Sequence, residues 1–173
     1  MHWHEGNNQK HTQLLMNKIL SVILPAFVAL AFGCSKSETH QSPDGKIKVE
    51  QTGDASKVEV VTKEGKATVT ASDKGVAIPD TFPKDVPIPK GAVPKLTMSQ
   101  GKAEMLHLHV SGAVADVVKA YQESLKAEGW EIETTMNMGD GSMLQAKKAG
   151  RQCAAMVMKD DPGSMIQLTV TQE

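Results

Sequence analysis

Two-residue alternation governs this chain. Runs in which apolar and polar residues trade places recur along it: Lys46 to Glu50, two runs between Lys57 and Ser72, and Met105 to Val110. Further runs follow at 131–138, 142–148, 151–159 and 164–170. Period two marks a strand with one buried face, and the glycine-bearing breaks between runs mark hairpin turns. Such breaks occur at Lys63-Glu64-Gly65-Lys66, Gly139-Asp140-Gly141, Ala149-Gly150 and Asp160 to Gly163. Helical periodicity is clear only over 113–129, where Val114, Val117, Val118, Tyr121 and Leu125 form one stripe. Ser111 is its expected N-cap. Gly129 is its expected C′ residue, with Trp130 packing back on Leu125 in a Schellman motif.

These elements predict an α+β fold. An antiparallel sheet in the order ββαββββ carries one amphipathic helix on one face, and a small β hairpin precedes it. The expected boundaries are an upstream extension with a signal segment over 1–33, a polar tether over 34–45 and a small β segment over 46–78. A proline-rich connector over 79–95 and a compact domain over 96–173 complete the chain. Five of the eight prolines fall between Pro79 and Pro94, so that stretch is extended. Phe82, Val86 and Ile88 lie among them and could clamp the connector to a core.

The amino terminus reads as an address. Ile19 to Gly33 is an uncharged apolar run directly after Lys18. It is shorter than the roughly 20 residues a spanning helix needs, and it has the layout of a secretory signal with Met16 as its natural start. Residues 1–15 then form an upstream extension. Ala31-Phe32-Gly33-Cys34, followed by a polar segment, resembles the bacterial lipoprotein class. That resemblance implies lipidation of Cys34 and a membrane anchor strong enough to hold the protein at the cell envelope. Ser35, where that class places an inner-membrane retention Asp, favours the periplasmic face of an outer membrane. The rival is cleavage after Ala29-Leu30-Ala31, which releases a soluble protein.

Composition narrows function. Lys and Arg number 19 against 20 Asp and Glu, so the net charge is −1, unlike the basic excess of a nucleic-acid binder. Beyond residue 33 the aromatics are Phe82, Tyr121 and Trp130, too few for a base- or sugar-stacking platform. No G-x-S-x-G, H-E-x-x-H, P-loop or Rossmann glycine pattern is present. Glu131 and Glu133 could imitate an acid–base pair but read as solvated edges. Cys153 lacks a His-Cys-Asp setting and reads as a small buried hydrophobe. The expectation is a non-enzyme.

Strand parity gives the sharpest expectation. With Leu106, Leu108 and Val110 under the helix, Met105, His107 and His109 face away. The same logic sends Met156, Met158 and Met165 to the far face, whereas Met136 and Met138 share parity with Ile132 and would point inward. Three occupants suit such a soft face. The N-terminal hairpin could pack on it, or an envelope protein partner could dock on it, with Met105 and Met165 in the contact. The third is Cu(I), the one cofactor the residue types suggest, held by His107, His109, Met156 and Met158.

From about Phe82 onward the chain also resembles a group of small bacterial lipoprotein domains. The residues that carry the likeness are Phe82-Pro83-Lys84-Asp85-Val86-Pro87-Ile88-Pro89 and the Tyr121, Leu125, Gly129, Trp130 spacing. The resemblance implies a fold and no activity. The combined expectation is a membrane-anchored envelope lipoprotein acting as a non-catalytic binding or structural module, with a periplasmic Cu(I)-binding protein as the alternative.

Overall fold

A computed structural model describes residues 36–42, 45–63 and 65–172. The upstream extension, the signal segment and Cys34 lie outside the described residues. Ten antiparallel strands form one sheet: β1 (Lys36–Ser42), β2 (Gly45–Thr52), β3 (Ala55–Thr62), β4 (Gly65–Ser72), β5 (Val93–Gln100), β6 (Ala103–Val110), β7 (Glu131–Met138), β8 (Gly141–Lys148), β9 (Arg151–Asp160) and β10 (Gly163–Gln172). One helix, α1 (Val114–Ala127), lies between β6 and β7. The spatial order is β1-β2-β3-β4-β5-β6-β10-β9-β8-β7. The helix thus carries the chain from the middle of the sheet to its far edge, and a meander returns it to pair with β6.

The expected α+β class is corrected by this arrangement. With ten strands and a single 14-residue helix among the described residues, the fold is mainly β. The N-terminal segment is not a hairpin set before the sheet. It supplies four strands, and β4 pairs with β5 from Ala67↔Gln100 to Ala71↔Leu96. The physical reason is edge pairing: β5 would otherwise present a row of free backbone N–H and C=O groups, and β4 satisfies them. The polar stretch read as a tether likewise contributes β1, paired to β2 along its length. Its exposed side chains hid a strand held chiefly by backbone bonds.

The core lies between α1 and the sheet. Leu106, Leu108, Val110, Leu144, Ala155, Val157, Ile166 and Leu168 point toward Val118, Tyr121 and Leu125 of the helix. The connector closes one side of this layer. Phe82 and Val86 are buried in the same cluster, with Ile78, Ile88 and Ala92 packed against it. Asp85 fixes the connector to the sheet. Its carboxylate accepts two hydrogen bonds from Arg151, at 2.8 and 2.6 Å, and pairs with Lys148 at 2.7 Å. Its carbonyl accepts the Trp130 indole N–H at 2.7 Å, and the Arg151 guanidinium sits 5.2 Å over the Trp130 ring.

The helix ends as its sequence predicts and begins differently. Trp130 N–H donates to Leu125 C=O at 2.9 Å and Gly129 N–H to Lys126 C=O at 3.0 Å. These are the two bonds of a Schellman motif, with Gly129 at φ +81°. At the other end the N-cap is Ala113, without a side-chain cap, and not Ser111. Gly112, at φ +117°, turns the chain after Ser111 and leaves that residue two positions before the N-cap. The Gly112 carbonyl is instead anchored by the Ser164 hydroxyl at 2.9 Å.

Candidate functional site: the methionine face

The register across the sheet defines two faces. On the helix side lie the core residues of β6, β10, β9 and β8. On the other side the cross-strand pairs form continuous rows. One row runs Val93, His109, Met165, Met158, Gly141, Met138 from β5 to β7. The next runs Leu96, His107, Gln167, Met156, Met143, Met136. A third passes through Val49, Val58, Val69, Met98, Met105, Thr169 and Ala154. Residues directly opposite in an antiparallel pair share a face. All eight methionines beyond residue 33 therefore project from the side that α1 does not cover.

This is twice the four that parity alone assigns. Met136 and Met138, expected inward with Ile132, are corrected by a register shift between Ile132 and Thr134. The bulge inserts one residue and reverses parity, so Ile132 packs on the core while Met136 and Met138 stand 43% and 46% exposed on the far side. Nothing in the composition of 131–138 signals that bulge. Met143 is placed by its pairing with Met156, and Met98 by its pairing with Met105.

The N-terminal strands continue the same division. Ile47, Val49, Val58, Val60, Ala67 and Val69 join the methionine face, and Lys46, Lys48, Glu50, Lys57, Glu59 and Lys66 take the other. On β7, β8 and β9 the charged residues of methionine-face parity, Glu131, Lys147 and Asp160, sit at strand ends. A solvated face of an antiparallel sheet is ordinarily polar; here apolar and charged residues are sorted to opposite faces of β2, β3 and β4, while the edge strand β1 places Lys36, Glu38 and His40 on the methionine-face side. No helix or strand among the described residues packs across the apolar one. The hairpin expected to cover it extends the sheet edgewise instead.

The six residues singled out from sequence fall together on this face. His109, Met165 and Met158 form one row, His107 and Met156 flank Gln167 in the next, and Met105 lies in the third. His109 Nδ1 lies 3.0 Å from Asp160 Oδ2. His107 Nε2 is buried with no hydrogen-bond partner. Burial pushes the His107 imidazole below its usual pKa, partly opposed by a hydrogen bond with Gln167, so the ring is neutral at neutral pH.

Two concavities lie elsewhere. A cleft of about 910 Å³ opens between the first turns of α1 and the β7–β8 turn, with Lys119, Gln122, Thr135, Asp140 and Lys159 on its walls. The Gln122 amide bridges it to the Thr135 hydroxyl at 2.8 Å. A smaller one holds Glu131 and Glu133, which both pair with Lys147, at 3.9 and 2.9 Å. Those carboxylates are solvated ion pairs. Cys153 is buried beside Tyr121, and burial pushes its thiol up to about 11, far from a nucleophile's range.

A START domain-like family model matches residues 93–164, from β5 into the first residues of β10. No curated protein and no solved structure shows a match to the chain.

Proposed function

We propose that this protein is a non-catalytic binding module of the cell envelope, held there by lipid on Cys34, and that its methionine face docks an apolar surface of another envelope protein. The observation that carries the reading is the sorting of all eight methionines onto one face, whose charges in β7, β8 and β9 lie at strand ends. Thioether side chains are unbranched and polarizable, so they fit irregular apolar surfaces and re-pack to suit a partner. Met136 and Met138 stand exposed on this face, and neighbouring exposed apolar side chains of this kind suit contact with a partner. The START domain-like match over the same strands is compatible with a binding domain. Anchorage suits such a role, because a tethered module meets its partner at high effective concentration.

A photocrosslinking residue in place of Met143 tests the docking surface in intact cells. We expect one discrete adduct from position 143, absent from position 57 on the charged face, and abolished by Met136→Lys. Equal labelling from both faces would remove the basis of the proposal.

A further inference from the structure

We propose that His109, Met165 and Met158 form a binding site for a soft monovalent cation, Cu(I), with His107 and Met156 beside it. The site lies on the face assigned above to a partner but needs no partner to form.

The register supplies the donor set. Met165 lies opposite His109 on one side and opposite Met158 on the other. Three successive strands thus present an imidazole and two thioethers on one side of the sheet. Opposite residues have Cβ atoms about 4.5–5.5 Å apart. The three rotatable bonds of each methionine are ample to turn its sulfur toward a common point.

The histidine is prepared for a metal. Asp160 Oδ2 stands 3.0 Å from His109 Nδ1. A carboxylate there accepts the Nδ1 proton, fixes the ring orientation and leaves the Nε2 lone pair free. This is the carboxylate–histidine pairing that orients metal-bound imidazoles. The His109 side chain retains 27% of its exposure, so an ion can reach it. One row along the same face, the His107 Nε2 atom is buried without a hydrogen-bond partner. A buried polar atom normally has a partner, and a ligand on this face would supply one.

The donor chemistry selects the ion. Thioether and imidazole together favour Cu(I) over hard cations, which require carboxylate and carbonyl oxygens. Among the described residues no group of three or more His, Cys, Asp or Glu could hold a metal. The candidate ligands here are the sulfurs and rings of the methionine face.

The test is an anaerobic competition titration of the full-length protein in detergent, with bathocuproine disulfonate as the competing chelator. The wild type should retain one Cu(I) per chain. His109→Ala, and the double variant Met158→Leu with Met165→Leu, should each weaken binding at least tenfold. Removing the orienting carboxylate by Asp160→Asn should weaken it about 10- to 100-fold. Met98→Leu, remote from the site, should leave affinity unchanged. Met→Leu conserves volume and keeps the face apolar, and circular dichroism confirms that each variant is folded. Ag(I), a redox-inert substitute, should shift the Met158 and Met165 methyl resonances first. A wild type that cedes all its copper, or a double variant with unaltered affinity, overturns the site. The partner reading is judged separately: loss of copper in the double variant with the position-143 adduct retained upholds both, and loss of the adduct in Met136→Lys leaves copper affinity untouched.

Discussion

At the scale of single residues, the informative side chains are polar atoms that the fold does not satisfy. The Tyr121 hydroxyl is one: it is buried in the helix layer without a hydrogen-bond partner, with the Cys153 thiol as its polar neighbour. Burying such a group carries a desolvation cost and no compensating bond. Tyr121→Phe should therefore leave thermal stability unchanged or raise it, and a fall of more than about 1 kcal/mol would show a missed hydrogen bond. The His107 Nε2 atom is the other unsatisfied group, and it differs in facing the uncovered side of the sheet. One side chain thus belongs to packing and the other to a surface. Periodicity in the sequence already puts Tyr121 on the helix stripe and His107 on the far face; that both polar atoms are buried without a partner follows only from the packing.

At the scale of elements, the proline-rich connector is a structural brace. Phe82 and Val86 enter the core, and Asp85 ties the connector to β9 through the paired bonds from Arg151 and to β8 through Lys148. The Arg151 guanidinium above all holds the Asp85 carboxyl well below the usual carboxylate range, against the opposing effect of burial. A depressed carboxyl pKa contributes stability that is present above the ordinary carboxylate pKa, near 4, and is lost as pH falls toward the folded value. Asp85→Asn should cost about 1.5–3 kcal/mol at neutral pH. Thermal melts should show its deficit against wild type shrinking as pH falls from 5 toward 2; a deficit independent of pH would mean that packing, not charge, carries the brace. Much of this scale is legible in sequence. The strands from β5 onward, the helix and its glycine cap all follow from period and turn chemistry. Three features escape such reading for physical reasons. The bulge at Ile132–Thr134 depends on strand pairing, β1 is held by backbone bonds without apolar side chains, and the helix start is set by Gly112 geometry and not by the nearest hydroxyl.

At the scale of the whole molecule, one sheet sorts its residues into a helix-covered core, a charged face over the N-terminal strands and a methionine-bearing face that runs from β2 to β7. Parity in the strands after residue 103 revealed part of the last. Its full width depends on β4 pairing with β5, which no local pattern announces. The proposed anchor places this surface at a membrane. Cys34→Ala should move the protein from the membrane to the soluble fraction, and unchanged fractionation would exclude a lipid on Cys34. The methionines themselves report on whether the face is occupied, because dilute peroxide oxidises accessible thioethers to sulfoxides. The most direct measurement compares oxidation rates at Met136, Met143 and Met156, read by mass spectrometry, in intact cells and in the purified protein. A docked face predicts strong protection of all three in cells and rapid oxidation after purification. Equal rates in the two settings would show that the methionine face stands open in the cell and would contradict its role as a binding surface.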